Sequence, residues 1–157
     1  MDAVRTGLLL AATLTTGLVA GLFYAFSISV LPALRATPAA VLVEVMQRVN
    51  RAILNGWFFL CFVGALVLGL AAAILAAVDG DPGVLAPATI GFLLYAVQIV
   101  VTRTVNIPLN DALDAAGTTD PEAARRAFEA RWVRWNHVRT WLCTVSFGAW
   151  TWALLAA

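Results

Sequence analysis

Thr6-Gly-Leu-Leu-Leu-Ala-Ala-Thr-Leu-Thr-Thr-Gly-Leu-Val-Ala-Gly-Leu-Phe-Tyr-Ala-Phe-Ser-Ile-Ser-Val-Leu-Pro-Ala-Leu34 runs from Arg5 to Arg35 without a charged residue. A helix needs about 20 consecutive apolar residues to cross a bilayer, so this stretch predicts a membrane span. A cleavable signal peptide has an apolar core of only about 7–15 residues. This run is longer and lacks a convincing cleavage context. Gly17-Leu-Val-Ala-Gly21 permits close helix approach, most simply inside the protein, and leaves a homo-oligomer open. Tyr24 and Ser27 share a helical face, and Pro32 is expected to end the span.

The rest of the chain has the same character. It is 62% hydrophobic and 12% charged over 157 residues, against about a quarter charged in ordinary soluble domains. Mean hydropathy is +0.88. A formal net charge of +1 offers no basic footprint for nucleic acid. Further apolar runs cover residues 52–78, 84–102 and 138–155. The expected fold is an all-α integral membrane four-helix bundle, with residues 1–157 forming one transmembrane domain.

Between the runs, Leu42, Met46, Val49 and Ile53 form an apolar stripe opposed by Glu44, Gln47, Arg48 and Arg51. This predicts an amphipathic interfacial helix after span 1, capped by Thr37 before Pro38. Asp79-Gly-Asp-Pro-Gly83 is a tight turn. Pro108 predicts a helix break. Thr119-Asp-Pro-Glu122 begins a helix that runs unbroken into the last span, so a long last helix is expected to project from the membrane. Nine of the ten arginines fall in the first and third connections. Basic loops stay in the cytosol, which puts both termini outside the cell membrane.

That topology gathers polar residues at the cytoplasmic face. Asn50, Asn55, Asn106, Asn110, Asn136, His137 and Arg139 arrive there from three segments, and intramembrane polar groups suggest function. Asparagines also serve at helix ends. Asn50 and Asn55 are about 140° apart around a helix, so one is expected to be structural. Arg131–Trp141 holds the only histidine and three of the six tryptophans. Its His137 suits a general base or a pH-dependent donor, but it points about 100° away from Asn136. Trp132 and Trp135 could wall an aromatic pocket. Cys61 and Cys143 sit in spans as small hydrophobes. One histidine and two separated cysteines make a poor metal site even with Asp111 and Asp114 nearby. No phosphate loop, dinucleotide fingerprint or transporter repeat is evident.

Gly17-Leu-Val-Ala-Gly-Leu-Phe-Tyr-Ala-Phe-Ser27, Met46-Gln-Arg-Val-Asn50, Ile53-Leu-Asn55, Asn106-Ile-Pro-Leu-Asn-Asp111 and Trp135-Asn-His-Val-Arg-Thr140 resemble, in order, the anthrone oxygenase-like family of small four-span membrane proteins. The resemblance implies an oxygenase of polyketide metabolism that converts anthrones to anthraquinones with molecular oxygen. No metal or cofactor is implied, although haem or a quinone stays open. On this expectation His137 could be the base, Asn106, Asn110 or Asn136 could donate to the anionic oxygen, and Arg139 could stabilise its charge or merely anchor a headgroup. Tyr24, Asn50, Asn55, Trp132 and Trp135 bind a lipophilic, planar substrate drawn from the bilayer. A non-catalytic protein that binds a quinone, haem or lipid, or an accessory subunit, is the alternative.

Overall fold

A computed structural model describes residues 3–157, which are helical almost throughout. The first apolar run forms α1 (Ala3–Ala25), a π-helical turn (Phe26–Val30) and α2 (Leu31–Arg35) in one unbroken rod. After a short turn come α3 (Ala39–Ala52) and α4 (Gly56–Asp79). The next rod is α5 (Pro82–Val101), a second π turn (Thr102–Asn106) and α6 (Ile107–Ala115), and α7 (Pro121–Ala156) closes the chain. Gly80 and Gly117 end α4 and α6 with φ of 71° and 61°, the left-handed region that glycine enters without strain.

The two π turns correct the expectation that Pro32 ends its span and Pro108 breaks the chain. Each proline is the second residue after a five-residue π turn. A proline offers no N–H and its ring clashes with the carbonyl four residues back. Here those carbonyls belong to Ile28 and Thr104, inside the π turns. Widening the helix by one residue accommodates the ring and keeps the rod continuous. In an apolar surrounding that is cheaper than leaving several backbone groups unpaired.

Among the described residues three rods are long and apolar enough to cross a membrane: Ala3–Arg35, Gly56–Asp79 and Pro82–Ala115. The expected fourth span, 138–155, is the C-terminal half of α7 and does not join them. The reason is its composition: the run includes Arg139, Thr140, Thr144, Ser146 and Thr151, which lower its mean hydropathy. α7 packs against both α1 and α5 and buries Arg139, Thr140, Ser146 and Trp150 inside the protein.

The interior is layered along the bundle. At one end Leu9, Ala12, Ala72, Ala76, Val84, Ala88, Trp150 and Ala153 form a core. Glycine lets the Trp150 ring in: a Cβ on Gly91 would stand 2.9 Å from it and one on Gly69 3.0 Å. Arg5 pairs with Asp79 at 3.3 Å and donates to the Ala157 backbone oxygen at 2.9 Å, so the outlying arginine ties both ends of the chain to the α4–α5 turn. The middle layer contains Val19, Ala20, Phe23, Ala65, Tyr95 and Cys143. At the far end Leu31, Leu42, Val43, Met46, Leu113, Phe128 and Trp132 join α2, α3, α6 and α7.

This last layer changes the reading of the connections. The first half of α7 does not project alone, because α3 and α6 pack on it. Arg125 also donates to the carbonyls of Thr37 and Arg35 at 2.9 and 3.0 Å. Gln47, expected on the polar side of α3, is buried and donates to the carbonyls of Leu113 and Gly117 at 2.9 and 3.2 Å, satisfying groups that the end of α6 leaves open. Thr37 closes α2 through the Leu34 carbonyl at 2.7 Å rather than capping α3. Asp120 caps α7, accepting from the Ala123 N–H at 2.9 Å.

Candidate functional site

Between the middle layer and the arginine-rich end lies a partly open cavity of about 290 Å³. This is close to the lower end of the range for small-molecule sites. Its apolar walls come from Phe23 and Phe26 on the first rod, Phe58, Phe59 and Phe62 on α4, and Trp132 on α7. Polar side chains enter from three elements: Asn50 on α3, Thr102 and Asn106 in the second π turn with Asn110 on α6, and Asn136 and Arg139 on α7.

Gln98, Thr102, Asn106, Asn110 and Asp114 follow one another every four residues. In an ideal α-helix such a stripe drifts about 40° at each step. The π turn has more residues per turn and swings the stripe back. Thr102, Asn106, Asn110 and Asp114 therefore all reach the cavity, with Gln98 buried behind them and accepting from the Thr102 hydroxyl at 3.1 Å.

Arg139 forms the floor and is only 6% exposed. Its Nη2 donates to Asn136 Oδ1 at 2.9 Å and its Nη1 to Thr102 Oγ1 at 3.4 Å. The guanidinium carbon lies 4.2 Å from the Phe23 ring centre and 5.4 Å from that of Trp132, a favourable place for a cation. Asn136 is itself fixed: its amide donates to Ser27 Oγ at 2.9 Å and to the Phe23 carbonyl at 3.1 Å. Ser27 and Thr140 hydroxyls are 2.9 Å apart. Among the described residues no carboxylate pairs with Arg139.

Several atoms of the site have no protein partner. Both Asn106 side-chain atoms are buried and unbonded, as are Arg139 Nε and Asn50 Nδ2. A buried polar group left unpaired costs about 1–3 kcal/mol. When such groups from three elements converge on one hollow, they are suited to meeting a ligand. Asn106 offers one donor and one acceptor, and Arg139 offers positive charge.

The other sequence-derived candidates divide. Asn110 lines the cavity, where its Oδ1 accepts from the Trp132 indole at 2.7 Å, so it orients the ring that flanks Arg139. Asn55 does not reach the cavity. It is exposed and caps α4, accepting from the Phe58 N–H at 3.0 Å and donating to the Ala52 carbonyl at 2.8 Å. Asn55→Ala is therefore expected to cost about 1 kcal/mol of stability and leave ligand affinity within twofold, as read by thermal unfolding and ligand titration. Trp135 is half-buried and outside the cavity.

His137 and Tyr24 also lie elsewhere. Both are exposed and line a separate groove with Ser27, Ile28, Thr140, Trp141 and Thr144. The separation follows from the 100° that one helical residue turns, which sends Asn136 inward and His137 outward. The phenylalanines of α4 and Thr102 were not singled out in the sequence. Aromatic residues are unremarkable in an apolar span, but the four-residue polar stripe was a readable signal for Thr102.

A family model described as Anthrone oxygenase matches residues 57–149, from the start of α4 into the last turns of α7. That interval contains the α4 phenylalanines, Thr102, Asn106, Asn110, Trp132, Asn136 and Arg139. No curated protein and no solved structure matches the chain.

Proposed function

The chain belongs to the anthrone oxygenase family, and from that premise we propose that it is a membrane-embedded oxygenase. It takes an anthrone-like or other planar phenolic compound into this cavity, where the anion of the compound reacts with molecular oxygen. The arginine-rich end faces the cytosol, and the lipophilic substrate arrives from the bilayer past Leu54 and Phe59, exposed residues on the cavity rim.

An anthrone loses a proton from the carbon opposite its carbonyl, and the electron pair spreads onto the carbonyl oxygen. The electron-rich carbon adds oxygen, and the resulting hydroperoxide loses water to leave a second carbonyl. Balanced, one CH₂ and one O₂ become one C=O and one water. The protein's tasks are to stabilise the anionic oxygen, hold the ring and exclude bulk water. Arg139 and Asn106 suit the first task, in the manner of an oxyanion hole. Phe23, Phe26, Phe58, Phe62 and Trp132 suit the second.

The observation that carries this reading is the buried Arg139, without a carboxylate partner among the described residues, beside an asparagine with both amide atoms unmet. Burying an ion unpaired costs several kcal/mol, and a bound enolate or phenolate supplies the missing charge. The test is oxygen uptake by the purified protein with a panel of anthrones and hydroquinones, corrected for spontaneous oxidation. Saturable acceleration is expected with at least one of them. Binding without any oxygen uptake points instead to a non-catalytic carrier, and a Soret band in the purified protein points to a haem protein.

A further inference from the structure

The cavity must also receive the proton that the carbon acid gives up. Its lining contains four ionisable side chains: Arg51, Asp111, Asp114 and Arg139. Neither arginine accepts a proton at neutral pH, and the asparagines and Thr102 are not bases. Asp114 is paired with Arg51 at 3.4 Å. Asp111 makes no ion pair among the described residues.

Position favours the same residue. The second π turn and α6 climb from the floor, where Asn106 is 1% exposed, to a solvent-exposed rim. Asp111 stands five residues beyond Asn106, a rise of about 7.5 Å, and nearly one turn nearer the floor than Asp114. A ring whose carbonyl oxygen rests on Arg139 and Asn106 points its opposite carbon toward the rim. The acid carbon and its oxygen are separated by one ring, as Asp111 and the floor are separated along α6.

We infer that Asp111 is the proton acceptor of the site and takes the proton from the carbon opposite the bound carbonyl. The C–H bond breaks, the proton passes to the Asp111 carboxylate, and the electron pair moves onto the oxygen held by Arg139. Being exposed, the carboxyl can then release the proton to water. His137, on the other face of α7, takes no part. This rests on the oxygenase reading, but its chemistry precedes any use of oxygen.

That precedence gives the test. Under anaerobic conditions the protein is mixed in deuterated buffer with an anthrone that supports oxygen uptake in air, and loss of the CH₂ proton signal is followed by NMR. Asp111→Asn is expected to slow exchange about 10²-fold or more, consistent with the usual contribution of a positioned base. It should lower kcat with little change in KM and leave binding of a preformed phenolate unchanged, as read by tryptophan fluorescence. Asp111→Glu should restore part of the rate, and His137→Ala should exchange like wild type. Wild-type exchange in Asp111→Asn, or exchange lost in His137→Ala instead, overturns the assignment while leaving the oxygenase reading intact. A wild-type protein that speeds neither exchange nor oxygen uptake with any anthrone overturns both.

Discussion

Arg139→Met is expected to lower kcat/KM for oxygen uptake by about 10²–10³, the effect of losing one donor to a developing oxyanion, without lowering the thermal midpoint. The two halves of this result have separate origins. The guanidinium donates to Asn136 and Thr102, and hydrogen bonds to a charged group are worth about 1.5–3 kcal/mol each. Against that, the substitution removes a buried cation that no carboxylate among the described residues neutralises. The desolvation penalty of a buried ion is about several kcal/mol, enough to offset the lost hydrogen bonds. Methionine also packs well against rings, and Phe23 and Trp132 already flank the position. A structural arginine gives the opposite outcome, with the bundle loosened and activity lost only in proportion. Arg139→Lys separates charge from geometry: it keeps one positive charge but cannot span Asn136 and Thr102 with a planar fork. It should fall between the two. Full activity in Arg139→Met ends the anion-binding reading.

The rods were legible in the sequence because each long apolar run has one stable solution in lipid, an unbroken helix. The last run is weakened by its own polar residues, Arg139, Thr140, Thr144 and Ser146. It packs between α1 and α5, where Arg139, Thr140 and Ser146 are buried in protein. Pro32 and Pro108 marked the right places with the wrong consequence. A proline signals a lost N–H but does not say whether the chain breaks or widens around it. That choice mattered for the site, since the second π turn aligns Thr102, Asn106, Asn110 and Asp114. Asn50 and Asn55 cannot share one helical face, and the short turn after α3 gives Asn55 to the α4 cap. Gln47 shows the remaining difficulty: its buried partners are carbonyls 66 and 70 residues away, and no local pattern announces them.

Asn106→Leu is expected to make the ligand-free protein more stable and the liganded one less so. The side chain is of similar size and 1% exposed. Its amide nitrogen and oxygen both lack partners, and each unmet buried group costs about 1–3 kcal/mol. Removing them should raise the thermal midpoint by several degrees, at about 2–4 °C per kcal/mol for a chain of this length. Ligand affinity should fall about 10–100-fold, because a hydrogen bond to a charged group is worth about 1.5–3 kcal/mol and each 1.4 kcal/mol is tenfold. Asn106→Ala separates the polar from the steric contribution: it also removes the unmet groups but leaves a void, so its gain in stability should be smaller for a similar loss of affinity. Thermal unfolding with and without a phenolate ligand reads both quantities in one experiment. An Asn106→Leu protein that is less stable without ligand would mean that ordered water already satisfies the amide. The strain that the site holds ready for an anion would then be absent, and the stabilising effect of ligand on wild type and variant should be the same.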